Sequence, residues 1–309
     1  MSSSNTEIVE LASEGFFYPS GSVLASGVVE ILPLTAVDED VLCSGNLLRR
    51  GLVLPRILSR ILPTVSNIEE LLQCDVETIL LNSRILNYGT SVEFNIHCTN
   101  CDSQFNHEAS FSFKAKPFQF YGLTRGKNII GFTFPVCKKS ITFKLPTWRE
   151  HRDWRPLGWV EFAKRITLSV DNEEDIVNFY ETKLRAMDSK AFREFYEKQT
   201  PGFITGWKIQ CPSCGNVAPT NVDIDTDIFN IKPESKSRIH DEIFSLCYHT
   251  NGGFTQDVVY NMPVSLRVFY IKKLIDLKNE ENNKTKKQEA EVKAMSKTPS
   301  KPSIPNKKR

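Results

Sequence analysis

The segments HCTNCD (97–102) and IQCPSCGN (209–216) each contain two cysteines separated by two residues. The cysteines are Cys98, Cys101, Cys211 and Cys214. Their four thiolates are the complete ligand set of a tetrahedral structural zinc site. Each pair stands between runs in which apolar and polar residues alternate with the period of a β-strand. The pattern predicts that each pair forms the turn of a β-hairpin and that both turns bind one zinc ion. A zinc site with four protein ligands has no open position for catalysis.

Other interpretations of the cysteines remain open from the sequence. A single Cys-x-x-Cys step can also be a redox pair or a chance occurrence. His97 or His107 could replace one cysteine ligand, and a long insert separates the two pairs, unlike in a compact zinc ribbon. The remaining cysteines stand singly in apolar stretches and are interpreted as buried thiols: Cys43, Cys74, Cys137 and Cys247.

Composition indicates a globular protein rather than a fibrous or disordered chain. The 309 residues are 40% hydrophobic and 25% charged, which is enough for one large core or two smaller ones. No run approaches the roughly 20 apolar residues of a membrane span, and the first residues lack the pattern of a signal peptide. We therefore expect a cytosolic protein, in which eight cysteines favour metal binding and buried thiols over disulfides. The net charge of +2 gives no overall attraction to nucleic acid.

The periodicity predicts an α+β fold, in which helical segments flank a small β region with a four-cysteine, zinc-ribbon-like site. The predicted segments are an N-terminal extended arm and hairpin (1–34), a helical region (35–90), a β region with the first zinc knuckle (91–147), a helical insert (148–203), the second zinc knuckle (204–230), a C-terminal helical region (231–278) and a disordered, lysine-rich tail (279–309). In this arrangement the metal holds together the two ends of the insert.

Three local patterns carry further predictions. Thr35 and Asp38 form a capping box ahead of a helix. Pro55 is expected to break or kink the apolar, arginine-rich run NLLRRGLVLPRILSRILP (46–63). The C-terminal helical region is rich in aromatic residues, which either fill a core or form a surface for a partner.

Several stretches of the chain resemble the base plate protein family of T-even-type contractile-tailed bacteriophages. They are VELASEGFFYPSG (9–21), VVEILPLTAVDEDVL (28–42), LLNSRILNYGTSVEFNIHCTNC (80–101) and YHTNGGFTQDVVYNMPVSLRVFYIKKL (248–274). The resemblance extends from about Val9 to Leu277 and covers the insert 102–210 and the lysine-rich tail poorly. It implies a phage protein that is made in the infected bacterial cytoplasm, binds other baseplate hub proteins and acts in the structure or assembly of the hub, with a homo-oligomer as a further possibility.

Two other classes of function are weighed against this one. A nucleic-acid-binding zinc-ribbon protein would use the two knuckles and the lysines between Lys272 and Arg309, although that basic tail can equally be a solvated extension. Acidic residues near the knuckles oppose phosphate binding: Asp102, Glu108, Asp223, Asp225 and Asp227. An enzyme is not expected, because the sequence has no P-loop, no GxSxG and no HExxH motif.

Overall fold

The computed structural model describes residues 6–110, 122–203, 206–221 and 224–295. Its fold is α+β, as the sequence predicts, with helices arranged around several small antiparallel sheets. Within these ranges every helix is too short or too polar to cross a membrane.

The N-terminal part is a hairpin followed by a group of helices. The strands are β1 (Glu7–Glu10) and β2 (Val28–Ile31), and the helices are α1 (Ala36–Leu42), α2 (Gly45–Arg49), α3 (Val53–Ile61) and α4 (Gln73–Tyr88). The buried residues of α3 recur every three or four positions, so one face of the helix packs on the core.

Two local predictions fall in this part. The Asp38 carboxylate accepts a hydrogen bond from the Thr35 backbone N–H at 2.7 Å, so the predicted cap of α1 is confirmed. Pro55 does not interrupt α3, because it lies in the first turn, where the backbone N–H groups have no acceptor within the helix. The run breaks instead between α2 and α3, where Gly51 adopts a φ of 63°.

The loop between β1 and β2 is fixed to the start of α4 through a buried carboxylate. Ser13 donates to Asp75 from its backbone N–H at 2.9 Å and from its hydroxyl at 2.7 Å, and the Tyr18 hydroxyl donates at 2.6 Å. The same loop turns tightly at Gly15, where a Cβ atom would lie 2.6 Å from the Leu24 carbonyl oxygen. Only glycine fits this position, so the stretch VELASEGFFYPSG has a packing role in the structure.

Within the residues that the structure describes, the middle of the chain contains three separate antiparallel sheets and four α-helices. Its strands are β3 (Ser91–His97) with β4 (Gln104–Ser110), the three-stranded sheet β5 (Ile130–Thr133), β6 (Ser140–Phe143) and β7 (Thr167–Val170), and β8 (Gly206–Gln210) with β9 (Val217–Asn221). Its helices are α5 (Trp148–Trp154), α6 (Trp159–Ile166), α7 (Ile176–Asn178) and α8 (Ala186–Gln199).

Residues 148–203 do not form a purely helical insert, which corrects the sequence-based expectation. Helix α6 ends at Ile166, and β7 then pairs antiparallel with β6, with Val170 opposite Ile141. Because β6 lies before residue 148, the sheet crosses the boundary predicted at 147/148. Phe192 of α8 is completely buried and packs against Phe132 and Phe143 of this sheet, with ring centroids 5.4 and 5.1 Å apart, so that helix and sheet share one core.

Between residues 224 and 295 the C-terminal part forms the α-helices α9 (Ser235–His249), α10 (Gln256–Tyr260) and α11 (Val264–Met295). Residues 279–295 of the predicted disordered tail therefore continue α11, and residues 296–309 lie outside the described residues. Residues 279–292 of this helix are exposed and rich in Glu, Lys, Gln and Ala, which favour helix without tertiary packing. Ion pairs along the helix surface add to this, as between Lys278 and Glu281 at 2.8 Å.

Candidate metal centre

The first cysteine pair lies in the turn of the β3–β4 hairpin. The two strands pair without a break from Ser91 opposite Ser110 to His97 opposite Gln104. Beyond the last pair, the Cys98 N–H donates to the Ser103 carbonyl oxygen and the Asp102 N–H donates to the Cys98 carbonyl oxygen, both at 2.9 Å. The turn therefore places Cys98 and Cys101 at the end of the hairpin, as the sequence predicts.

The second pair lies in a turn of the same backbone pattern at the end of β8–β9. The Cys211 N–H donates to the Asn216 carbonyl oxygen and the Gly215 N–H donates to the Cys211 carbonyl oxygen, again at 2.9 Å. Gly215 has a φ of 71° and the equivalent Asp102 has a φ of 60°. Both residues are of types that tolerate the left-handed region, so the two turns are equivalent despite their different sequences.

The four sulfur atoms form one cluster, because they all lie within 4.8 Å of one another. Two of the contacts join the two hairpins: Cys98 Sγ lies 3.7 Å from Cys214 Sγ, and Cys101 Sγ lies 3.6 Å from Cys211 Sγ. Four sulfurs held tetrahedrally at ~2.3 Å from one zinc ion would be about 3.8 Å apart. The donor set and its spacing therefore fit a tetrahedral thiolate-bound metal better than two independent redox pairs.

Two polar side chains contact the sulfur cluster, and the sequence did not identify either of them. The Ser103 hydroxyl lies 3.1 Å from Cys101 Sγ and 3.2 Å from Cys211 Sγ, and so touches both hairpins. The Asn100 side-chain amide donates to Cys214 Sγ at 3.5 Å. Their positions within and directly after the first turn are a usable signal, because ligands in metal sites are commonly oriented by hydrogen bonds from neighbouring polar groups.

These contacts favour the thiolate form of the second pair. The hydrogen bond with Ser103 lowers the pKa of Cys211 to about 6, and the hydrogen bond from Asn100 lowers the pKa of Cys214. A thiolate is the form of cysteine that binds a metal.

The predicted alternatives for the ligand set are not supported among the described residues. The metal-competent cluster contains the four cysteines and no histidine. His97 lies beside the site, but its Nε2 atom is 3.0 Å from the Asp102 carboxylate rather than among the sulfurs. Of the four cysteines expected to be buried thiols, Cys43 and Cys74 are buried and Cys137 and Cys247 are half-buried.

A residue that sequence reasoning missed connects the start of the first hairpin to the segment after the second one. Arg84 of α4 is buried, and its guanidinium donates to the carbonyl oxygens of Gly89, Ser91 and Ile228 at 2.9, 2.8 and 3.1 Å. Ser91 begins β3, and Ile228 follows β9. Arg84 therefore holds the start of the first hairpin next to the segment that follows the second one.

No curated protein and no solved structure matched the chain. Residues 22–222 match the family model described as T4 bacteriophage base plate protein. The matched range is well over half of the chain, includes both cysteine pairs and includes the insert that the resemblance in sequence covered poorly, whereas α9, α10 and α11 lie beyond it. The chain therefore belongs to the T4 bacteriophage base plate protein family.

Proposed function

We propose that this protein is a structural or assembly component of the hub of the phage tail baseplate and that it acts by binding other hub proteins. The observation that carries the proposal is the family match over residues 22–222. Membership in this family supports a structural role in the baseplate, and the hub position follows from the resemblance of the sequence. Assembly in the cytoplasm of the infected host belongs to the same proposal.

Zinc at the four-cysteine cluster is the second part of the proposal. Cys98, Cys101, Cys211 and Cys214 would hold it, with Ser103 and Asn100 orienting and stabilising the thiolates. When bound, zinc supplies a cross-link between segments that are distant in the chain and leaves no open coordination position. The chain's own residues build the two turns, and Arg84 connects the start of β3 to the segment after β9. The contacts with Ser103 and Asn100 favour the thiolate form of Cys211 and Cys214.

The environment of the cluster favours a protein partner over nucleic acid. Asp102 is exposed in the first turn, Glu108 is exposed on β4, and Asp225 is exposed shortly after β9. These carboxylates surround the hairpins with negative charge, which repels phosphate groups.

The test of the baseplate role is to purify the tagged full-length protein from infected cells and to compare its partners with the contents of mature particles by mass spectrometry. A fixed ratio to hub subunits in mature particles is the result expected of a structural component. Copurification with hub precursors and absence from particles is the result expected of an assembly factor. Recovery with nucleic acid and without baseplate proteins would refute both.

The metal is tested on the same purified protein by elemental analysis. We expect about one zinc per chain, as four thiolates require one ion. A Cys247→Ala variant is the matched control, because Cys247 lies outside the cluster and should leave the zinc content unchanged. Purified protein that contains another metal at this ratio would correct the identity of the ion, and protein that binds none would refute the proposed site.

A further inference from the structure

Helices α9 and α11 form an open groove of about 600 Å³ on the surface of the C-terminal part. One wall is apolar and consists of Ile271, Leu274 and Ile275 of α11, of which Ile275 is 53% exposed. The other wall is polar and includes Ser237, Asp241 and Ser245 of α9. We call this surface the α9–α11 groove.

Exposed aromatic side chains on α9 lie next to the polar wall. Phe244 and Tyr248 are 65% and 66% exposed, and their rings stack with centroids 5.5 Å apart. They are three residues from Asp241 and Ser245, which places them on the adjacent face of the helix. A contiguous exposed apolar surface of this kind is typical of a protein-binding site. The sequence left open whether Tyr248 fills a core, and its exposure excludes this.

The charges that line the groove are unbalanced. Arg238 pairs with Glu242 at 3.1 Å, and Lys278 pairs with Glu281 at 2.8 Å. Glu234 and Asp241 also line the groove, are exposed, and form no ion pair or side-chain hydrogen bond within the described ranges. The groove therefore presents two carboxylates that a basic partner could neutralise.

The geometry of the walls selects a helix as the occupant. Both walls are helices whose backbone groups are already hydrogen-bonded, so a partner cannot add a strand and must be recognised through side chains. The apolar wall consists of residues three and four positions apart, Ile271, Leu274 and Ile275. Side chains at this spacing form a ridge on which the apolar stripe of an amphipathic helix packs. Glu234 directly precedes α9 and Asp241 lies on it, seven residues later, which corresponds to about 10 Å or two turns of helix.

From these observations we propose that the α9–α11 groove binds an amphipathic helix of another baseplate protein. The bound helix has an apolar stripe that packs on Ile271, Leu274 and Ile275, and two basic side chains about two turns apart that pair with Glu234 and Asp241. This inference rests on the proposed baseplate function. Since α9 and α11 lie outside the range matched by the family model, the groove is a feature of this chain beyond the matched family region.

The test places a photo-crosslinking amino acid, benzoylphenylalanine, at Ser245 of the full-length tagged protein in infected cells. We expect an adduct with a segment of another baseplate protein that has apolar residues at three- and four-residue spacing and at least two Lys or Arg side chains. The same probe at Met187 of α8, which is exposed and far from the groove in sequence, is the control and should not give this adduct.

Charge reversal makes the test specific. The double variant Glu234→Lys with Asp241→Lys should lower the yield of the adduct at least tenfold, and reversal of the basic residues in the captured segment to Glu should restore it. Glu194→Lys with Glu197→Lys on α8 makes the same change in charge outside the groove and should leave the yield unchanged.

The proposal is overturned if the groove gives no specific adduct, if the adduct is a second copy of this chain, or if the yield is insensitive to charge reversal. Partners of the unirradiated protein are identified from the same cells. Copurification with baseplate proteins in the absence of a groove adduct would remove the groove proposal alone. Failure to copurify with any baseplate protein would remove the proposed function as well.

Discussion

The cysteines show how much of a site can be predicted one residue at a time. Spacing identifies Cys98, Cys101, Cys211 and Cys214 as a ligand set, because a tight turn with two cysteines presents two corners of a tetrahedron. The contact between Ser103 and Cys211 could not be predicted, since it joins residues that meet only after both hairpins have formed. Short-range patterns therefore give the ligands, and the tertiary structure gives the groups that adjust them.

The cluster leads to a prediction at this scale. Replacement of Cys211 and Cys214 by serine removes two of the four thiolates, and we expect loss of zinc from the purified protein and a fall in Tm of more than about 5 °C, because metal binding and folding are coupled. Elemental analysis and calorimetry measure the two effects. A Cys43→Ala variant controls for the loss of a cysteine elsewhere and should retain zinc. An unchanged melting curve in the double variant would contradict a structural role for the metal.

At the scale of helices and strands, local periodicity predicts the hairpins well and the insert less well. The strands β3, β4, β8 and β9 follow the alternation around the cysteines. The four-residue strand β7 is not predicted, because its sequence TLSV continues the pattern of α6 and its identity as a strand depends on pairing with β6. The continuation of α11 beyond Leu277 is likewise not predicted from composition, because the same charged residues are typical of a solvated helix and of a disordered chain.

Arg84 provides a prediction for the two hairpins. The Arg84→Met variant retains most of the aliphatic side chain but leaves the carbonyl oxygens of Gly89, Ser91 and Ile228 without the guanidinium. Without these hydrogen bonds, part of the free energy of metal binding would be needed to bring the hairpins together. We therefore expect the zinc affinity to fall at least about tenfold. Competition with a chromophoric chelator measures the affinity. Arg56→Met, on the exposed side of α3, is the control, and equal affinity in the two variants would show that Arg84 does not position the site.

A second prediction concerns the contact of α1 with α9 and α10. Asp40 accepts hydrogen bonds from Tyr260 and from His240 at 3.2 Å and lies 3.3 Å from the Lys236 ammonium. Although burial acts to raise the pKa of Asp40, these three partners together lower it below its ordinary value of 3.8. A lowered pKa in the folded state means that the ionised carboxylate stabilises the fold above about pH 3.8, and that this contribution is lost as the pH falls through the folded-state pKa.

The pH dependence is measured by denaturant unfolding of the wild type and of the Asp40→Asn variant. We expect this substitution to reduce the free energy of unfolding at pH 7 by no more than about 1 kcal/mol, because the carboxylate and its partners are partly exposed to solvent. The difference between the two proteins should shrink as the pH is lowered below 3.8. An equal difference at pH 7 and below pH 3.8 would show that the charge of Asp40 does not contribute to the free energy of unfolding.

For the molecule as a whole, contacts between distant parts of the chain decide what the sequence leaves open. The side chain of Arg267 in α11 is 2% exposed, and it lies 2.6 Å from the Glu39 carboxylate of α1 and 3.2 Å from the Glu242 carboxylate of α9. Tyr88 of α4 donates to Glu39 at 2.9 Å. Four helices from both ends of the chain thus meet at one buried ion pair. Helical periodicity alone would place a charged residue such as Arg267 on a solvated face. Its burial depends on the Glu39 carboxylate, which lies more than two hundred positions away in sequence and is therefore invisible to a local pattern.

The buried pair of Arg267 and Glu39 predicts how strongly the C-terminal helices are held to the N-terminal part. Arg267→Met leaves the Glu39 carboxylate buried without its cation, and we expect the free energy of unfolding to fall by about 3–5 kcal/mol. The double variant Arg267→Met with Glu39→Gln removes the uncompensated charge and should recover a large part of that loss. Denaturant unfolding of the four proteins in this cycle measures the coupling. Additive losses would mean that the two side chains act independently, and that this ion pair does not hold the C-terminal helices to the N-terminal part.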